Sequence, residues 1–231
     1  MKLLQIIKEN TRRKLVDWSR KKLSLNTVID QLFLDLQVQQ LLPKKIEALD
    51  LFARNGLWLS KDYEEKVNYL ELCEIDEFYH NWSKKAIRAN SYNLGDSIKM
   101  LENKQLKKEK YNFILSDNFS GKFGPYTEHF EVFDYIFDYI DNGILAFNVV
   151  PNTIVRVNYY PENEKDYNDW LEKRSAFYGL DKTNTEVISI TQLESIYNNI
   201  ITNKGYHVKY FNHLVRNDVV TLFYFVIEKT S

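Results

Sequence analysis

Four carboxylates, Asp50, Glu74, Asp96 and Asp117, each stand at or just past the end of a short apolar run. The runs are contained in Ile46–Gly56 (IEALDLFARNG), Val67–Cys73 (VNYLELC), Ser91–Leu94 (SYNL) and Tyr111–Ser116 (YNFILS). Short runs of this composition read as buried strands. In an open parallel sheet the carboxyl ends of the strands line the ligand crevice, so the four acids are expected to converge there. A carboxylate can accept both hydroxyls of a diol. Asp50 is followed by Asn55-Gly56, a dipeptide suited to positive φ. A carboxylate at the mouth of a parallel strand, followed by a glycine turn, is how doubly wound folds present a pocket for an adenosine-type cofactor. Taken singly, each acid reads as a solvated strand end. Four in register require that coincidence to repeat at each strand.

The elements that must position these residues alternate. Trp58–Glu65 is a poor, short helix, Glu77–Ala89 is a helix carrying Phe78, Trp82 and Ile87, and Lys99–Lys110 is charged and helical. Glu128–Ile140 is amphipathic, with Phe130, Phe133, Ile136 and Phe137 on one side, and Gly143–Val150 (GILAFNVV) is a fifth buried strand. Helices follow at Glu164–Tyr178 and Thr191–Thr202, and two strands, Tyr206–Asn212 and Val219–Glu228, close the chain. Strands alternating with helices predict a doubly wound α/β fold with a parallel sheet, and the closing hairpin predicts one antiparallel strand. Two helices precede the first strand. One spans residues 2–22, with Leu4, Ile7, Leu15 and Trp18 on one stripe; the next starts near Thr27 with capping-box spacing to Asp30, buries Ile29, Leu32, Phe33 and Leu36, and ends at Pro43.

The segment DLFARNG resembles motif I of the class I S-adenosylmethionine-dependent methyltransferases, D-x-F-x-G-x-G, with Asp50, Phe52 and Gly56 in place and Arg54 where the first glycine belongs. The resemblance extends over residues 44–150 and, more loosely, to the closing hairpin. It implies a seven-stranded, mostly parallel sheet whose last strand inserts antiparallel, with residues 1–43 as an N-terminal helical cap on a domain of residues 44–231. It further implies S-adenosylmethionine as cofactor, with Asp50 near the methionine amino group, Glu74 on the ribose hydroxyls, Asp96 on the adenine amino group and Asp117 beside the transferred methyl. Asp117-Asn118-Phe119-Ser120 resembles loosely the [DN]-P-P-[YFW] motif of enzymes that methylate exocyclic amines, without the prolines. There Asp117 or Asn118 would hold an amine and Phe119 would stack on a base; the competing reading is a polar turn. Arg54 either pairs with the cofactor's carboxylate or fills the space that the glycine leaves for it.

A basic face on the first helix, Arg12, Arg13, Lys14, Arg20 and Lys21 with Lys22, suits phosphates, or is a solvated surface. With the loose [DN]-P-P-[YFW] likeness, this makes a nucleic acid the expected substrate, and a small molecule the alternative. Residues 152–186, rich in aromatics, follow the fifth strand and suit a substrate lid; the same aromatics suit simple packing. His129 could act as a general base at the mouth, or be a core polar group. The four histidines show no metal-ligand spacing, and Cys73, the single cysteine, excludes an internal disulfide and reads as packing. No apolar run spans a bilayer and no signal-type apolar segment opens the sequence, so a cytoplasmic chain is expected. With 231 residues, 44% of them hydrophobic, a sizeable core is available, and the net charge of −1 gives no global preference for nucleic acid. Two function classes follow: a methyltransferase, or a binding module of the same fold without turnover.

Overall fold

The computed structural model describes residues 27–54, 56–57, 59–118, 127–153 and 164–230. Its first described helix, α1 (Val28–Val38), opens with a reciprocal cap. Thr27 Oγ1 accepts the Asp30 N–H at 3.1 Å and the Asp30 carboxylate accepts the Thr27 N–H at 2.9 Å. The helix stops short of Pro43 because the chain turns left-handed at Gln40 (φ 59°), folding the Leu41 N–H back onto the Leu36 carbonyl at 2.8 Å.

Seven strands follow, β1 (Glu47–Leu51), β2 (Tyr69–Glu74), β3 (Ser91–Leu94), β4 (Phe113–Ser116), β5 (Asn142–Val149), β6 (Tyr206–Val215) and β7 (Thr221–Lys229). They form one sheet in the order β3-β2-β1-β4-β5-β7-β6. The first five are parallel neighbours, and β7 enters antiparallel between β5 and β6. The doubly wound sheet with its antiparallel closing hairpin is as the alternation of elements predicts.

Between the strands lie α2 (Ser60–Tyr63), α3 (Glu77–Ala86), α4 (Ser97–Glu102), α5 (Glu128–Tyr135), α6 (Glu164–Tyr178), α7 (Lys182–Thr185) and α8 (Ile190–Asn203). The two faces of the sheet carry separate cores. On one face Ala48, Leu70, Leu72, Phe113, Leu115, Ile144 and Ala146 pack with Ile29, Leu32, Phe33 and Leu36 of α1 and Tyr63 of α2. Each fully buried leucine or isoleucine of α1 stabilises this layer by about 1.5–3 kcal/mol. The helix is further tied to the hairpin through Asp35, which accepts hydrogen bonds from Tyr210 Oη, Asn212 Nδ2 and Tyr224 Oη. The described part of the N-terminal cap is thus a layer on the sheet.

On the other face Leu49, Leu51, Ile114, Leu145, Phe147, Phe223 and Phe225 meet α5, α6 and α8. Here α5 tightens into a 3-10 turn at Ile136–Tyr139 instead of running to Ile140 as one α-helix. In residues 152–186 the described aromatics are core residues: Trp170 and Tyr178 are buried, and Arg174, itself buried between their rings, donates to the carbonyls of Thr185 and Val150 at 2.7 and 2.9 Å. These described residues pack in the core, while residues 154–163, Tyr159 and Tyr160 among them, lie outside the described residues.

The charged stretch after β3 is helical only to Glu102. Its continuation is fastened to the sheet by Glu71, a fully buried carboxylate that accepts from Tyr69 Oη, Tyr111 Oη, Asn93 Nδ2 and the Lys107 N–H. Four donors satisfy a charge that burial would otherwise make costly. Glu71 is accounted for within the fold.

Candidate functional site

The carboxyl ends of β1, β2, β3 and β4 lie side by side in the parallel register, which sets Asp50, Glu74, Asp96 and Asp117 along one edge of the sheet. Their environments differ sharply.

Asp50 is fully buried. Its Oδ2 accepts from Ser60 Oγ at 2.6 Å and Tyr63 Oη at 2.7 Å, both from α2. Its Oδ1, equally buried, has no hydrogen-bond partner among the described residues, and neither has Ser116 Oγ at the end of β4. Burial, reinforced by the charge of Asp117, pushes the Asp50 carboxyl up to about 7 against the pull of the two hydroxyls and of Arg216. The short α2, a poor helix by sequence, has a clear role: it brings the two hydroxyls to this carboxylate.

Asp117 is held in an ion pair. Its Oδ1 accepts from Arg216 Nη1 and from Asn148 Nδ2, each at 2.7 Å, and the same Arg216 Nη1 reaches Asn148 Oδ1 at 2.7 Å. Neither Arg216 nor Asn148 stands out by motif. A signal was present for Asn148, which breaks an apolar strand as Asp50 does; Arg216, just past the end of β6, carries none. Asn118 Nδ2 donates to Glu128 Oε2 at 3.4 Å, and burial raises the Glu128 carboxyl. Phe119 lies outside the described residues, as do Arg12, Arg13, Lys14, Arg20, Lys21 and Lys22.

Glu74 closes β2 with little exposure. Its Oε1 accepts the Asp76 N–H at 2.7 Å; burial raises this carboxyl, offset by the Asp76 and Arg54 amides. Asp96 caps α4, accepting the Ile98 N–H at 2.9 Å.

The turn after β1 is left-handed three times, at Phe52 (φ 62°), Arg54 (φ 51°) and Gly56 (φ 70°). Phe52 therefore leaves the strand and packs against the aromatic core, only partly buried. The place a Gly56 Cβ would occupy is 2.4 Å from Ile87 Cγ1, so this glycine is demanded by the backbone and by its neighbour in the core. Ile87 has left α3 for extended backbone to reach that place, which is why α3 ends at Ala86. Arg54 extends to Tyr79 on α3, with Nη2 3.2 Å from the phenol oxygen.

His129 is not at the mouth. It is buried among Phe130, Phe133, Phe147 and Tyr197, with Nε2 2.7 Å from Tyr197 Oη, and burial together with Arg174 pushes it down to about 3. Enclosed in the core and too weakly basic, this imidazole is the core polar group of the two readings and not a general base. Cys73 is buried and its thiol pushed up by burial, which makes it packing rather than nucleophile. Among the described residues no group of three or more His, Cys, Asp or Glu is placed to hold a metal, and no helix is long and apolar enough to cross a membrane.

No family model and no curated protein matches the chain. Solved structures do. The chain is similar to magnesium protoporphyrin IX methyltransferase from Synechocystis PCC 6803 with bound S-adenosylhomocysteine, at 13% identity and a TM-score of 0.52, over 86% of this chain and 80% of that one. The plantazolicin methyltransferase in complex with S-adenosylhomocysteine matches at 12% identity and a TM-score of 0.50, over 80% and 76% of the two chains. An S-adenosylmethionine-dependent methyltransferase from Anabaena variabilis matches at 12% identity and a TM-score of 0.50, over 86% and 83%. At such identities the likeness concerns fold: the chain has the α/β fold of the class I methyltransferases, with their seven-stranded sheet.

Proposed function

We propose that the protein is an S-adenosylmethionine-dependent methyltransferase whose cofactor lies across the carboxyl ends of β1 to β4. The observation that carries this reading is Asp50: a buried carboxylate at the end of β1 with one oxygen unpartnered, beside a turn that is left-handed three times. A buried acceptor left without a donor costs about 1–3 kcal/mol unless something supplies one. The methionine ammonium of the cofactor, directly or through a water, is a donor of the right charge. Glu74, whose carboxylate is oriented by the Asp76 and Arg54 amides, is offered to the ribose hydroxyls through its remaining lone pairs, and Asp96 and Gly56 border the same crevice. Arg54, leaning on Tyr79, is directed away from the turn's interior, so it leaves room for the backbone approach that the family's glycine provides.

The cofactor when bound supplies an activated methyl on a sulfonium, so the protein's task is positioning and exclusion of water. Asp117 contributes as a fixed charge beside the methyl position rather than as a mobile base, because Arg216 and Asn148 hold it. Asn118, on the adjoining residue, remains the amide offered to an acceptor. The substrate is a nitrogen or oxygen nucleophile. Its carrier is a nucleic acid or a small molecule: Asn118 suits an amine of either, and the basic residues 12–22 lie outside the described residues. The domain reading keeps residues 44–231 as the catalytic unit with residues 1–43 as cap. Calorimetric titration with S-adenosylmethionine and S-adenosylhomocysteine tests the reading: micromolar binding of both supports it, and no binding of either leaves the non-catalytic module of this fold.

A further inference from the structure

We infer that Arg216 is a positioning residue of this site: from the turn after β6 it pairs with Asp117 and so offsets the negative charge beside Asp50 at the end of the adjacent strand, which leaves Asp50 able to ionise. The inference rests on the cofactor reading above and deepens it.

The geometry is built for a fixed cation. The base of the β6–β7 turn is pinned by the Arg216 N–H to the Val220 carbonyl at 2.9 Å, and by Asn217 Oδ1, which accepts the Val219 and Val220 amides at 2.9 Å each. The guanidinium therefore enters from a rigid hairpin base. It meets Asp117 with the two side chains only 10% and 12% exposed, in a medium where solvent screens little. Asn148 completes the arrangement, its oxygen toward the arginine and its amide nitrogen toward the aspartate, so that the three groups lock one another. Asp50 is faced by Ser60 and Tyr63 from α2, by Asp117 from the end of β4, and by Arg216 from the hairpin turn.

Two like charges in a buried site do not both ionise without a compensating cation. Remove the arginine and Asp50, the more deeply buried, is the group that keeps its proton. A protonated Asp50 no longer attracts an ammonium. Arg216 thus acts on the cofactor through another residue.

The test compares the parent with Arg216→Met and Arg216→Lys in calorimetric titrations with S-adenosylhomocysteine from pH 6 to 9. Parent affinity is expected to rise through neutral pH. In Arg216→Met that rise moves to higher pH by up to about one unit, a fraction of what a directly paired opposite charge exerts, with a corresponding several-fold loss of affinity near pH 7 and recovery at the alkaline end. Arg216→Lys restores most of it. A Met profile that superimposes on the parent's overturns the inference. If the parent binds at no pH, the cofactor reading itself has failed, and the charge balance is read without ligand from the carboxyl carbon-13 resonance of Asp50, identified by its loss in Asp50→Asn. Arg216→Met should raise that titration and Asp117→Asn should lower it. An Asp50 titration that neither variant moves overturns the inference, and the Asp117→Asn arm decides it should Arg216→Met fail to fold.

Discussion

The guanidinium of Arg54 lies over the ring of Tyr79, its carbon 4.9 Å from the ring centroid. The side chain is drawn toward α3 while its backbone holds φ at 51°, a conformation that glycine adopts freely and arginine does not. These two effects oppose one another in Arg54→Gly. Loss of the cation–π contact costs about 0.5–1 kcal/mol, and relief of the left-handed backbone returns about 1–2 kcal/mol. The variant is therefore expected to unfold in urea within about 1 kcal/mol of the parent. A larger destabilisation would mean that the Arg54–Tyr79 contact organises the whole turn.

Gly56→Ala should be far more damaging. A Cβ at this position would sit 2.4 Å from Ile87 Cγ1, at a φ of 70°. Strain and overpacking together are expected to cost about 2–4 kcal/mol. Ile87→Ala alone should also destabilise, by leaving a cavity, yet the double variant should be more stable than the sum of the singles predicts. A double-mutant cycle in urea checks this coupling.

Much of this site was legible because the sequence signals were redundant. Five parallel strands and a hairpin could be placed because apolar runs, turn residues and amphipathic helices agreed, and Asp50 stood out as a charge within an apolar strand. The partners of that charge did not stand out. Ser60 and Tyr63 lie in four residues that hardly look helical, and Arg216 is distant in sequence from Asp117 and from Asn148. Such contacts depend on how the hairpin returns to β5, a tertiary fact that no local pattern carries. Of the two readings open for His129 the structure selects the core one: this histidine sits within the apolar face of its helix, against Phe147 and Tyr197, which an amphipathic pattern alone does not decide.

Asp50 should give stability an unusual pH dependence. Its carboxyl is raised from 3.8 to about 7 in the folded chain. The native state then holds a proton that the unfolded chain releases, so this contribution is complete below pH 4 and is lost as pH rises through 7. Asp50→Asn removes the titration while keeping an acceptor for Ser60 and Tyr63. Between pH 4.5 and 8 the variant is expected to gain on the parent in urea unfolding. Parallel curves would show that Asp50 does not titrate in this range.

His129 should show the opposite sign. Lowered from 6.5 to about 3, it stays neutral in the fold while the unfolded chain takes up a proton below 6.5. Its contribution is present above that pH and is lost as the solution is acidified toward 3. His129→Phe, which fills the same aromatic site, should flatten the acid limb of stability. Binding of S-adenosylhomocysteine to the variant should keep the parent's pH dependence, since His129 is enclosed in the aromatic core.

Glu74 provides the most direct test of the cofactor assignment, and the structure dictates which substitution to use. Alanine would remove the acceptor for the Asp76 N–H at 2.7 Å, so a loss of binding could follow from a disturbed loop. Glutamine keeps a carbonyl oxygen for that amide while removing the charge, although its NH2 group cannot accept in place of the second carboxylate oxygen. If Glu74 holds the ribose hydroxyls, each charge-assisted bond is worth about 1.5–3 kcal/mol. Weakening two of them should lower S-adenosylhomocysteine affinity by roughly ten- to a hundredfold, at about 1.4 kcal/mol per decade. Because burial raises the Glu74 carboxyl in the folded chain, its neutral replacement should leave stability at pH 7 unchanged or slightly higher. Unchanged affinity with unchanged stability would move the ribose contact to Asp76, whose carboxylate already caps α3 through the Phe78 N–H at 2.9 Å.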